Sequence, residues 1–315
     1  DFVNDDNWRL NTPISNDWNV SADGGFVMTG SSKYYDHNGR APWHSQNFIT
    51  VHDGFTMYDL FTYENKVNGC GPLNPVCCDD PASAWCDQES GDDHNRSRDW
   101  GMSEDGEATK RQMMRNMFTA MMISHGTPLL LGGDEWMRTQ LGNNNAYSTQ
   151  SDNPWNWFKW GDWQQDDVRV RMHDFVRKVT QVRKDHEYAF APMDWGTGAP
   201  FSWLNASNTG DPDWGSRHLM IHYWDSSYGP ELLILINLER GPVEFTLPTG
   251  RSWVRLVDTQ KWFDFEDPEN PADYFEQTGA DTRVSSNVSL GDAAIPLGDP
   301  TYLTGANSIV IIEAR

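Results

Sequence analysis

The sequence predicts an α/β chain in which a parallel βα repeat is followed by an antiparallel β-sandwich. Two short apolar runs, Asn47 to Val51 and Leu129 to Leu131, each stop abruptly in polar residues, and each is followed by a helical pattern. Beyond about residue 190 the helical period disappears and short strand-like runs alternate with Gly, Pro, Asn and Asp turns. A length of 315 residues suits about two domains, here 1–188 for the βα part and 189–315 for the sandwich.

Residues 1–46 hold no sustained period and read as a long surface excursion rich in Asn, Asp, Ser and Trp. Asn47 to Val51 is β-branched and apolar, a buried strand that ends at His52-Asp53-Gly54. Residues 65–106 form a long loop. From about Asp105 a helix begins, with Met113, Met114, Met117, Phe118, Met121 and Met122 laid along one broad stripe that packs into a core. Gly126-Thr127-Pro128 ends it, and Leu129 to Leu131 forms the second strand, terminating at Gly132-Gly133-Asp134-Glu135. A further helix at about 166–184 places Val168, Met172, Phe175, Val176, Val179 and Val182 on one face. Strand, loop, helix, strand, loop, helix is the repeat of a parallel sheet, and barrels of that type carry their sites on the loops after the strands. Two such units do not close an eight-stranded barrel, so its other strands are expected elsewhere. In the second half, His218 to Trp224, Glu231 to Asn237, Val243 to Leu247, Trp253 to Val257 and Ser308 to Glu313 supply the sandwich strands.

Composition narrows the function. The formal net charge of −22 repels phosphate backbones and anionic bilayers, against a nucleic-acid or membrane-surface role. No run approaches the ~18 apolar residues that a spanning helix needs. Sixteen tryptophans are present, and Trp8, Trp18, Trp43, Trp85, Trp100, Trp155, Trp157 and Trp214 sit in polar, loop-like text. Loop packing explains such indoles, because Trp buries a large area and has one donor to satisfy. Sugar binding explains them as well: the C–H face of a pyranose stacks on an indole while neighbouring Asp, Asn and His take its hydroxyls.

The four cysteines, Cys70, Cys77, Cys78 and Cys86, share one Pro/Gly/Asp-rich loop and lack paired C-x2-C knuckles. They read as two local disulfides of open connectivity, which implies an oxidising compartment, secreted or periplasmic; four free thiols in a cytoplasmic chain are the alternative. Asp79, Asp80, Asp92 and Asp93 leave room for a calcium ion but lack the spacing of a dedicated loop, so a solvated surface is the preferred reading. No cofactor is required.

Two longer strings carry a resemblance. Gly39-Arg40-Ala-Pro-Trp43-His-Ser-Gln-Asn-Phe-Ile-Thr-Val-His52-Asp53-Gly54 resembles the fourth conserved region of the α-amylase superfamily of glycoside hydrolases, in its isoamylase and glycogen-debranching version. Leu131-Gly-Gly-Asp134-Glu135-Trp-Met-Arg-Thr-Gln-Leu-Gly-Asn143-Asn144-Asn145-Ala-Tyr147 is similar to the loop after barrel strand eight of the same group. The resemblance implies that residues 48–51 and 128–131 are strands seven and eight of a (β/α)8 TIM barrel. It implies that Asp53 is the third catalytic carboxylate and His52 a hydroxyl-binding histidine, with Arg40, Trp43, Trp100, Asn143, Asn144 and Asn145 at the substrate. Asp134 and Glu135 are then structural or placed just behind the residues at the substrate, because the nucleophile and the acid belong to strands four and five of that group. Nothing in residues 1–46 matches those motifs, and the chain opens on Asp1 with no leader pattern. The chain is therefore expected to be the C-terminal portion of a longer enzyme that hydrolyses α-1,6 branches of glycogen or amylopectin. Its partners would be an α-glucan and an N-terminal portion present as a separate chain. An α-1,4 amylase, a glucanotransferase and a non-catalytic glucan-binding protein are the alternatives.

Overall fold

The computed structural model describes residues 28–69, 90–146, 156–261, 287–291 and 294–315. The cysteine segment, with the expected disulfides, lies outside these. So do Asp79 and Asp80. Five helices are seen among the described residues: α1 (Ser32–Tyr35), α2 (Met57–Leu60), α3 (Glu104–Ile123), α4 (Asp167–Asp185) and α5 (Glu187–Phe190). None of the described helices is long and apolar enough to cross a membrane.

The chain divides into two compact units that are discontinuous in sequence. The first comprises Phe48–Met114 and Leu129–Val176 with Asp1–Asn7; the second comprises Trp8–Asn47, Arg115–Pro128 and Arg177–Arg315. The sequence reading instead cuts the chain once, after residue 188.

In the second unit, strand β1 (Gln46–Asn47) pairs in parallel with β2 (Thr127–Pro128), Gln46 opposite Thr127 and Asn47 opposite Pro128. Side chains reinforce this pair: Asn47 donates to the His125 carbonyl at 2.7 Å, and Thr127 Oγ1 donates to the Trp43 carbonyl at 2.8 Å. Parallel pairing is as expected, but the ladder sits a step N-terminal of the apolar runs. Residues 48–51 and 129–131 are not strand, and Phe48 (52% exposed), Leu129 and Leu130 are exposed rather than buried. The physical reason is that a ladder is defined by paired backbone groups, whereas an apolar run reports only a tendency to leave water.

The same unit holds a six-stranded antiparallel sheet, ordered β3 (Phe201–Leu204), β4 (His218–Tyr223), β5 (Leu232–Asn237), β10 (Ser308–Ala314), β7 (Trp253–Asp258), β8 (Ile295–Leu297). A two-stranded sheet, β6 (Val243–Thr246) with β9 (Thr301–Thr304), completes it. Met220, Leu233, Leu235, Trp253, Val310 and Ile312 of the larger sheet share one core with Phe245, Leu247 and Tyr302. The Asn237 amide joins the sheets, donating to the carbonyls of Gly241, Thr304 and Gly305. Between Ile311 and Ile312 the register of β10 on β7 shifts, so that Leu256 has no partner in the ladder. Strands β3, β8 and β9 were not foreseen; each is only three or four residues long.

The central strands β5 and β10 are buried on both faces, because helical segments of the same unit cover the second one. Arg115 donates to the carbonyls of Thr259 and Gln260, and Asn116 donates to that of Asn307. Phe190 meets Tyr223 edge to face at 5.8 Å, and His186 Nε2 lies 2.9 Å from Glu313. Helix α3 is consequently buried all round from Gln112 to Ile123, where the methionine pattern suggested a single stripe. Residues 177–188, which the sequence reading gave to the barrel part, thus help to bury the sheet.

Candidate active site

The first unit holds α2 and the N-terminal parts of α3 and α4 with the loops between them, and buried polar side chains tie two of these loops together. Helix α2 starts at a Thr56 cap, whose Oγ1 accepts from Asp59 N at 3.3 Å. Asp59, fully buried, accepts from the Thr139 hydroxyl, from Gln140 N at 2.7 Å and from Gly142 N at 3.3 Å. Burial pushes its carboxyl up to about 6, against the lowering pull of those hydrogen bonds. Asp134, 1% exposed, accepts from the Thr50 hydroxyl through one oxygen and from Met57 N at 2.9 Å through the other. Burial raises it to about 7, with Glu135 adding to the rise and Arg138 opposing it. Two buried carboxylates thereby fasten residues 50–60 to residues 134–142.

Between Thr50 and Met57 lies the bend that carries His52 and Asp53. Both side chains are exposed, 77% and 63%, and His52 Nε2 lies 3.3 Å from Asp53 Oδ2. Gly54 follows at φ +88°, a left-handed turn that glycine adopts without strain, and its N–H donates to the Asn144 carbonyl at 3.1 Å. An exposed imidazole and carboxylate on a bend held at Thr50, Gly54 and Met57 can respectively donate to and accept from a polyol ligand, and the carboxylate can face a developing positive charge.

The Asn143–Asn145 turn is tied into the protein by its own side chains. Asn143 and Asn144 are buried, and the Asn143 amide oxygen accepts from Asn145 N at 2.9 Å. Asn144 exchanges two hydrogen bonds with Asn68, 3.0 and 3.1 Å, and its amide also donates to the Asp92 carbonyl and to Asn95 Oδ1. Gly91 sits so close that an added Cβ would run into the Asn144 amide. The Asn143 side-chain oxygen and the Asn144 amide thus bond within the protein and fix the loop. Asn145 is partly exposed.

Trp100 is half-buried, with the Arg98 guanidinium 4.3 Å from the ring centroid. Asp92 accepts from His94 N at 2.8 Å, and Asp93 pairs at 2.7 Å with the buried Lys66, so both carboxylates weighed for calcium have protein partners. Among the described residues no group of three or more His, Cys, Asp or Glu could hold a metal ion. Arg40 and Trp43 belong to the second unit. Arg40 is exposed and lies 5.7 Å from the Tyr35 ring, while its carbonyl accepts from Trp195 Nε1 at 2.6 Å. Trp43 is exposed and stacked on His44 at 3.6 Å. Sequence reasoning did not find Asp59. Its only local signal is the Thr56-x-x-Asp59 cap, and its partners lie some 80 residues away.

A parallel strand pair with polar loops after each strand thus precedes an antiparallel sheet in the chain. No protein-family profile matches the chain. It is 34% identical over 245 residues to isoamylase SU1 of Zea mays, covering 74% of this chain and 28% of that protein. It is 35% identical over 297 residues to the glycogen operon protein GlgX homolog of Mycobacterium bovis, covering 91% and 37%. The chain is thus similar to isoamylases and to GlgX homologues, and it spans about a third of the length of these curated relatives. Among solved structures, the pullulanase of Bacillus acidopullulyticus matches with a TM-score of 0.55 at 15% identity, covering 92% of this chain and 26% of that one. The maltotetraose-complexed pullulanase of Anoxybacillus sp. LM18-11 matches with a TM-score of 0.51 at 15% identity, covering 91% and 30%.

Proposed function

We propose that this chain forms part of a debranching hydrolase that cleaves α-1,6 linkages of glycogen or amylopectin, and that it supplies the third catalytic carboxylate. In this reading β1 and β2 are the seventh and eighth strands of the barrel. The observation that carries it is the bend itself: His52 and Asp53 stand exposed side by side, on backbone held by Asp134 and Asn144. Isoamylase and GlgX relatives support debranching of α-glucans, and a structural neighbour with bound maltotetraose supports the ligand class.

The chemistry asks for this pair. Retaining hydrolysis passes through an oxocarbenium-like state, and hydrogen bonds to sugar hydroxyls that tighten there contribute several kcal/mol. Asp53 accepts hydroxyls of the distorted sugar and sets negative charge beside the developing cation. His52 donates to a neighbouring hydroxyl. The nucleophile and general acid, about 5–5.5 Å apart in such enzymes, are assigned to a further portion of the enzyme, on the same or a separate chain. No metal enters this scheme. An oxidising compartment would follow only from disulfides at Cys70, Cys77, Cys78 and Cys86.

Asp53→Asn in the full-length enzyme should lower kcat on amylopectin by about 10²–10³-fold, the scale of losing one preorganised electrostatic group. Glucan binding, followed by retardation in amylopectin-containing native gels, should be kept. Undiminished release of linear chains by the variant removes Asp53 from the reaction.

A further inference from the structure

The bend that carries His52 and Asp53 is short, exposed at its tip and rich in rotatable backbone, yet an electrostatic role needs it fixed to within a fraction of an ångström. Both of its feet end on one side chain. Thr50, two residues before His52, donates its hydroxyl to Asp134 Oδ2; Met57, the first residue of α2, donates its backbone N–H to Asp134 Oδ1 at 2.9 Å. All three residues are buried. Asp134 is itself held in a tight turn: its N–H donates to the Leu131 carbonyl at 3.1 Å, and Gly133 before it takes φ +101°. Aspartate fits this place, since its two carboxyl oxygens face two donors from opposite ends of one loop. Neither bond touches His52 or Asp53, so the carboxylate acts on them only through the backbone.

We propose that Asp134 is a positioning residue for the His52–Asp53 pair: its carboxylate clamps the two ends of the bend and so sets where the pair stands. This rests on the reading that Asp53 serves the reaction. Asp134 belongs to the turn after the second strand, so the loop after one strand is aimed by the loop after the other.

The test uses the full-length enzyme with Asp134→Ala, Asp134→Asn and Thr50→Val, assayed per folded molecule at a temperature where each variant is native by circular dichroism. Asp134→Ala should lower kcat about 10²-fold, the scale of a small misplacement of catalytic groups, with KM within about threefold. Asp134→Asn keeps an oxygen for Met57 N–H and an amide for Thr50 Oγ1, and should recover most of that loss. Thr50→Val, which frees one foot only, should fall between them. Amide hydrogen exchange at Gly54 gives a readout independent of activity: exchange should quicken at least tenfold in Asp134→Ala and return toward the parent value in Asp134→Asn. A variant with unchanged Gly54 exchange, or with kcat lost only in proportion to unfolded protein, overturns the proposal. If the parent enzyme releases no chains from branched glucan, the functional reading falls instead, and the exchange result still decides the positioning claim.

Discussion

The two units of this chain solve the same problem with different physics. In the second, six strands and two strands close over Phe245, Leu235, Val310 and their neighbours, and helical segments cover the outer face, so most of the stabilisation comes from apolar area removed from water. In the first, residues 50–68 are fastened to residues 134–144 by Asp59, Asp134, Asn68 and Asn144, whose hydrogen bonds span many tens of residues. The lesson is that the candidate catalytic pair stands in the unit where polar bonds fix geometry. A buried carboxylate with two or three donors specifies position more sharply than an apolar contact, which tolerates sliding.

The comparison breaks most visibly in the apolar unit. Phe245→Ala removes a fully buried ring and should cost about 3–5 kcal/mol in urea unfolding; a loss below ~1 kcal/mol would mean that the shared core does not hold the two sheets together. Next comes Asp59→Ala. It leaves the Thr139 hydroxyl and two backbone N–H groups without their acceptor, at about 1–3 kcal/mol for each buried orphan before relaxation. Its signature should be local, with faster amide exchange at Gln140 and Gly142 than at Leu235.

The smallest effect is also the most diagnostic, because the buried carboxylates of the first unit and the ion-paired ones of the second shift in opposite directions. Asp59 and Asp134 are raised by burial, to about 6 and about 7. A raised carboxyl contributes stability that is fully present below the unfolded value near 4 and lost as pH rises through the folded one. In the second unit Glu313 is lowered, chiefly by the hydrogen bond from His186, and Glu231 is lowered because Arg251 and His222 outweigh its burial. Their contribution is present above the unfolded value and is lost as pH falls below it. Acidifying from pH 7 to pH 5 should therefore slow exchange at Gln140 and Met57, and going on below pH 4 should loosen β10 near Glu313. Asp59→Asn and Asp134→Asn should flatten the first trend and leave the second; an unchanged slope in both variants would assign the pH response to other groups.

The longer elements were legible in the sequence. Leu232 to Ile236 and Ser308 to Glu313 announce themselves as strands because each is apolar without a break, and α4 because Val168, Met172, Val176 and Val179 keep a helical spacing. What escaped was short or long-range. Strands β8 and β9 have three and four residues, too few to establish a period, and β1 and β2 form beside their apolar runs rather than on them. At the site, His52 and Asp53 could be singled out because they interrupt an apolar run and share a motif with a known group. A sequence string does not say whether an amide faces a ligand or the protein, and the Asn144 amide bonds within the protein. The partners of Asp59 and Asp134 are set by the folded loops alone.

The unpaired Leu256 opposite the Ile311–Ile312 step has an evolutionary corollary. A strand whose ladder already carries one surplus residue can lose it and simply straighten, keeping Val257 and Arg255 against their present neighbours. Dropping a residue from the unbroken pairing of Ile234 would instead exchange the two faces of the rest of that strand, both buried, and force repacking on each side of the sheet. Natural changes in chain length within this sheet should accordingly be tolerated at the surplus position before anywhere along β5.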